Sequence, residues 1–299
     1  MRALFGPATA SLLLALGALG LLALAAPLGG CGSDGGGGDD IGEVPDGVEP
    51  GAPAVVAAPD AWHPAPGTSW QWQLTGAIDM SYDVDMYDVD LFETTDDEMA
   101  ALRRADRTII CYFSAGSREE YRDDAGDFPA AVVGEVLDNW PHERWLDVRA
   151  ESVRAVMRAR LDYAAARGCD GVEPDNVDGY QNATGFPLTV ADQLDFDRFL
   201  ANEAHARGLS VGLKNAVDLV PALEPYFDWA LNEECFAYDE CDTLAPFIDA
   251  GKAVFHVEYV DKEADADAEL TKVCGAASTT GFSTLVALYD LAGWSVACP

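Results

Sequence analysis

The sequence predicts an α/β fold, a single (β/α)8 TIM barrel that follows an N-terminal leader and tether. Three observations carry this reading. After a low-complexity N-terminal region, roughly 240 residues remain, near the usual size of such a barrel. Eight short β-rich apolar runs punctuate them, with helical patterns between most of the runs. Two of those helices end in the same Ala-Arg-Gly, at 166–168 and 206–208. A basic last turn and a glycine stop before the next strand are the loop chemistry of a parallel barrel.

The elements follow in chain order. Arg2 precedes a run of Leu, Ala and Gly from Leu12 to Leu28, which reads as a secretory signal over residues 1–30. The run is short for a spanning helix and lacks a basic stop-transfer flank. Leu28-Gly29-Gly30-Cys31 resembles a bacterial lipobox, which implies lipid attachment at Cys31. The protein is then exported and anchored in the bacterial envelope or at the cell surface, meeting the membrane through that lipid only. Residues 31–60, rich in Gly, Asp, Pro, Ala and Val without helical or strand period, read as a flexible tether. The barrel domain occupies 61–299.

Its strands are expected at 70–74, 86–92, 108–113, 171–175, 209–214, 228–232, 253–259 and 284–289. Between the third and fourth, Val153, Val156, Met157, Leu161 and Ala164 share one helical face, with Ser152 as N-cap and Gly168 as stop. A second helix spans 193–207. The link 75–85 is too short for a helix, so the barrel is irregular at its first β-to-β connection. Six of the seven cysteines remain once Cys31 is set aside, an even number suited to disulfides in an exported chain. Fifteen pairings exist; proximity along the chain favours Cys235–Cys241 and Cys274–Cys298, leaving Cys111 with Cys169.

Composition narrows function. There are 52 acidic against 18 basic residues, a net charge of −34, which argues against nucleic acid or anionic lipid as partner. With 49% hydrophobic residues the chain is no disordered acidic tail. Most of the surplus charge is solvation, but it also favours a cationic ligand.

The polar residues gather where the strands end: Asp90, Tyr112 and Ser114, Glu173 to Asp178, Lys214 and Asn215, Glu233 and Glu234, Glu258 and Tyr259, Tyr289 and Asp290. A barrel brings those ends to one face, where active sites form. The pattern predicts a carboxylate-lined cleft. Two carboxylates flanking a glycosidic bond suffice to hydrolyse it, and Trp70, Trp72, Tyr112, Tyr180, Tyr238 and Tyr259 offer faces for sugar rings. No G-x-S-x-G elbow, triad-like histidine, P-loop or dinucleotide fingerprint competes. The Asp-rich stretch 79–97 lacks the glycine and distal glutamate of a calcium loop. No metal and no cofactor is expected.

Six blocks resemble glycoside hydrolase family 114. They include Cys111-Tyr112-Phe113-Ser114-Ala115-Gly116, Trp145-Leu146-Asp147-Val148 and Asp170-Gly171-Val172-Glu173-Pro174-Asp175-Asn176. The others are Val211-Gly212-Leu213-Lys214-Asn215, Asn232-Glu233-Glu234-Cys235-Phe236 and Gly251-Lys252-Ala253-Val254-Phe255, all in family order from about Trp70 to Tyr289. The resemblance implies a (β/α)8 barrel with endo-α-1,4-polygalactosaminidase activity. It implies Asp175 and Glu233 as the catalytic acids; analogy with retaining α-glycosidase barrels makes them nucleophile and acid/base. Glu234 stands where a neutral residue is expected and is an alternative acid, although neighbours in a strand point opposite ways. Substrate contacts are expected from Asp90, Tyr112, Ser114, Asp178, Tyr180, Lys214, Asn215, Tyr259 and Asp290. Lys214 either serves the cleft or pairs with Glu173 inside the barrel. A non-catalytic surface sugar-binding protein, or a hydrolase of another α-linked exopolysaccharide, stays open at this point.

Overall fold

The computed structural model describes residues 41–299; the signal, Cys31 and the first part of the tether lie outside the described residues. Twelve strands occur among the described residues, in chain order β1 (Trp70–Gln73), β2 (Met86–Asp90), β3 (Thr108–Ser114), β4 (Ser117–Glu119), β5 (Val133–Leu137), β6 (Trp140–Leu146), β7 (Gly171–Asp175), β8 (Ser210–Lys214), β9 (Trp229–Glu233), β10 (Val254–Tyr259), β11 (Ser283–Ala287) and β12 (Ser295–Ala297). The eight expected runs are β1, β2, β3 and β7 to β11, joined side by side in parallel. β12 adds an antiparallel strand to β11. The seam is closed through this last segment. Leu74 and Thr75 donate backbone N–H groups to the Leu291 carbonyl, and Gln71 hydrogen-bonds Gly293 and Ser295. A nearly closed TIM-type barrel results, with residues 74–85 helix-free as expected.

Alternate residues of the strands build the barrel interior. Trp70, Trp72, Met86, Ile110, Trp229, Leu231, Phe255, Val257 and Leu285 form one buried cluster. Gly212 is needed there, because a Cβ would meet the Trp229 ring at 2.2 Å. The intervening residues, such as Tyr87, Val89, Ile109, Phe113 and Val172, face outward into the larger core. The helices cover that outer face: α1 (Asp96–Arg104), α2 (Glu151–Arg167), α3 (Val190–His205), α4 (Val220–Leu223), α5 (Ala245–Asp249) and α6 (Ala266–Val273). α2 ends on Gly168 in the left-handed region. Ser152 is not its cap: the helix starts at Glu151 behind Ala150, whose side chain cannot accept a hydrogen bond. α3 begins three residues before expectation, at a capping box of Thr189 and Asp192.

Two features depart from the sequence reading. The first is a three-stranded antiparallel sheet, ordered β4-β6-β5 and inserted between β3 and α2. The second is the stretch 41–60, which composition assigned to a flexible tether. Here it docks against α3: Ile41 O accepts from Val190 N, Val56 N donates to Asn202, and Glu49 pairs with the buried Arg198. An irregular segment without period can still be held by specific polar anchors. All three expected disulfides are present, Cys111–Cys169, Cys235–Cys241 and Cys274–Cys298.

Candidate active site

The C-terminal strand ends surround a cleft of about 820 Å3. At its floor lies Lys214, the last residue of β8 and almost fully buried. Its Nζ is 3.0 Å from Glu173 Oε1, 3.3 Å from Asp175 Oδ1 and 3.3 Å from Glu233 Oε2. Lys214 thus pairs with Glu173 as one sequence reading expects, and it also reaches the two cleft acids. Burial opposes its charge, but the three carboxylates outweigh that and hold the ammonium well above the ordinary lysine range.

Each acid is positioned by its neighbours. Tyr112 donates its hydroxyl to Asp175 Oδ2 at 3.1 Å, and the Asn176 N–H donates to Oδ1 at 2.7 Å. Tyr259 donates to Glu233 Oε1 at 2.6 Å, and Asn215 Nδ2 to Oε2 at 3.1 Å. Burial pushes the Glu233 carboxyl up, yet Lys214, Tyr259 and Asn215 together bring it below the usual glutamate value. Beneath this pair Glu173 takes a 3.2 Å hydrogen bond from Trp72 Nε1 and faces the fully buried Asp88. Burial and the negative Glu173 push the Asp88 carboxyl well above the usual aspartate range, and burial pushes Glu173 itself up to about 7.

The chain turns sharply where these residues sit. Asn176, Asn215 and Glu234 each immediately follow a barrel strand, and each has positive φ, +60°, +49° and +60°. Such non-glycine strain is held by its surroundings and gathers at functional sites. At Glu234 it removes the strand alternation, so Glu233 and Glu234 both line the cleft, contrary to the expectation that only one could. They differ in place. Glu233 touches Lys214, whereas Glu234 sits at the rim and accepts from Tyr289 OH at 3.0 Å.

The other expected site residues divide. Asp178 and Asp290 line the cleft, and burial together with Asp175 raises Asp178 to about 6. Tyr259 stacks on Tyr289 with centroids 4.4 Å apart. Asn215 uses its amide on Glu233, and its Oδ1 accepts from the Glu233 N–H at 2.9 Å. Asp90 borders the cleft but is held at both oxygens by the buried Arg122. Ser114 and Tyr180 are corrections. Both are buried away from the cleft wall, Ser114 bonded to Ser117 and Asn176, and Tyr180 packed in the outer core. Of the tryptophans, Trp72 borders the cleft and Trp70 is interior packing.

Sequence reasoning missed one wall. The inserted sheet contributes Glu119, Leu137, Asp138, Asn139, Trp140, Glu143 and Trp145. A signal was present: two runs joined by the two residues Asp138-Asn139, with Asn139 at φ +66°, form a hairpin.

Two carboxylates share one ammonium, aromatic faces surround them, and the cleft is open, an arrangement suited to splitting a glycosidic bond. Comparison with known proteins agrees. The chain resembles Ega3 of Aspergillus fumigatus, solved in complex with galactosamine, with TM-score 0.78 and 45% identity over 82% of this chain and 99% of that one. It shares its fold with the glycoside hydrolase domain of PelA from Pseudomonas aeruginosa, at TM-score 0.60 and 16% identity over 77% of this chain and 98% of that one. An uncharacterized protein of Deinococcus radiodurans is 29% identical over 179 residues; that match spans 53% of this chain and 58% of the relative. The family model of glycoside hydrolase family GH114 matches residues 51–299, so the chain belongs to that family and is a glycosidase.

Proposed function

We propose that the protein cleaves internal α-1,4 linkages in galactosamine-containing polysaccharide by a retaining double displacement. Asp175 is the nucleophile and Glu233 the acid/base. The observation that carries the pair is the shared Lys214 ammonium. Two oxygens each 3.3 Å from one nitrogen are at most twice that apart, which favours the short separation of retaining enzymes, about 5–5.5 Å, over the inverting range.

Charge and shape support the substrate. Ten carboxyl side chains border the cleft, and its two cations, Arg122 and Lys214, are already paired with acids. A partly deacetylated galactosamine polymer is cationic and suits such a cleft; the similar Ega3 structure holds galactosamine. Tyr121, Trp140, Tyr238 and Tyr289 are each more than half exposed and border this cleft. Exposed aromatic faces on both walls favour a chain bound through the cleft, hence internal cleavage.

Asp175→Asn and Glu233→Gln are each expected to abolish oligosaccharide release while the thermal melt is preserved. Wild-type turnover by both variants on every galactosamine polymer would overturn the assignment, and NMR of the first-formed anomer tests retention. Burial raises the Glu234 carboxyl, which favours a second reading for the acid alone, with Glu234 as the proton donor. Glu234→Gln distinguishes the two, since it spares turnover if Glu233 is the acid. Three disulfides favour an oxidising, extracytoplasmic location. Lipid attachment at Cys31 rests on the motif, and labelled palmitate incorporation that is lost in Cys31→Ala tests it.

A further inference from the structure

We propose that Glu143, on the wall formed by the inserted sheet, binds the protonated amine of an amino-sugar ring in a subsite beside Asp175. The inference rests on the galactosamine reading and names a residue that recognises the amine. Glu119 and Glu143 are direct cross-strand partners on β4 and β6, at 1% and 6% exposure. Like charges set opposite one another in a ladder repel, and a desolvated carboxylate needs a cation. Glu119 has one: its Oε1 accepts from Arg122 Nη2 at 2.8 Å and from Tyr121 OH at 2.9 Å. Glu143 has none. Its Oε2 accepts the Ser117 hydroxyl at 2.7 Å, and its Oε1 has no protein donor among the described residues although the residue borders the cleft. Burial and the negative charges of Glu119 and Asp175 push this carboxyl up to about 7. A carboxyl so placed is completed by a cation arriving from the cleft.

The position of Glu143 ties it to the reacting centre. Ser117 gives its hydroxyl proton to Glu143, so Ser114 gives its own to Ser117, 2.6 Å away. Ser114 in turn accepts from Asn176 Nδ2 at 2.9 Å, and the Asn176 N–H holds Asp175 Oδ1. From Asn176 Nδ2 onward each donor points toward Glu143, while the Asn176 backbone N–H points the other way, to Asp175. An ammonium that keeps Glu143 ionised therefore preserves the order that holds the turn after Asp175. Trp140 and Tyr121, exposed on the same wall, offer faces to the ring that carries the amine.

The test is calorimetric binding of galactosamine oligosaccharides and their N-acetylated counterparts to the inactive Asp175→Asn protein, with and without Glu143→Gln. Gln keeps the shape and the acceptor for Ser117. The free-amine oligomer is expected to lose about tenfold in affinity, with the N-acetylated one changed less than twofold. Glu120→Gln, which removes an exposed charge of the adjacent position, is the control for net charge and is expected to change neither. A misfolded wall would weaken both oligomers equally. Equal losses, no loss, or the same loss in Glu120→Gln overturns the subsite. Failure of both oligomers to bind the Asp175→Asn parent instead overturns the galactosamine reading itself.

Discussion

At the residue scale the site is organised by one ammonium. Lys214 is bonded by charge to Glu173, Asp175 and Glu233, and no other cation contacts that group among the described residues. Its removal should raise the Glu233 carboxyl, because the main influence lowering it is lost. A general acid must carry a proton, so a low value places the descending limb of kcat/KM on the acid side. Lys214→Met should move that limb to higher pH and lower kcat by at least about 100-fold, read from pH–rate profiles. The buried Asp88 behaves differently. Burial and Glu173 raise its carboxyl, and Asp88→Asn keeps its shape without a charge, so kcat and Tm should stay within about twofold and a few degrees of wild type. Asp88→Leu replaces the polar group facing Glu173 with an apolar one and should lower both.

At the element scale the decisive features are the turns that follow β7, β8 and β9 and the backbones that press against them. Ala115 and Gly116 both donate N–H groups to the Asp175 carbonyl, and a Cβ on Gly116 would lie 1.8 Å from the Asn176 carbonyl oxygen. Gly116→Ala must displace that turn. It should cost about 1–3 kcal/mol in urea unfolding and lower turnover more than it raises KM. The strap 41–60 is also a structural element. Its Glu49 answers the charge of Arg198, which is 2% exposed. Glu49→Ala should destabilise by about 2 kcal/mol, below the range for a fully buried pair because Glu49 is partly exposed. Active-site geometry should be unaffected.

At the scale of the whole molecule the acid surplus becomes a pH dependence. Glu143, Glu173 and Asp178 have folded-state values raised to between about 6 and 7, chiefly by burial. Between their unfolded values near 4 and those raised ones, the folded chain binds more protons than the unfolded one, so stability falls as pH rises. Thermal melts should show Tm decreasing from pH 5 to pH 7.5, and a smaller decrease in Glu143→Gln. A cationic polymer drawn by the same charge should be cleaved more slowly as salt rises, with kcat/KM affected more than kcat.

Much of this was legible in the chain. The eight barrel strands, their polar C-terminal ends, the paired acids and the disulfides follow from period, spacing and local resemblance, all properties of short segments. What stayed hidden depends on neighbours distant in sequence. Ser114 and Tyr180 have the right chemistry at the right strand ends, yet packing turns both away from the cleft. Glu143 and Trp140 lie in a stretch with weak period, and only the pairing of β4, β5 and β6 raises them over the site. The left-handed turn at Glu234 breaks an alternation that strand geometry alone would impose. Sequence by itself determined the eight barrel strands and which end carries the chemistry, because local periodicity and barrel topology decide both. Tertiary structure decided which carboxyls share Lys214, which are already paired and which remain without a cation, because burial and distance set those energies.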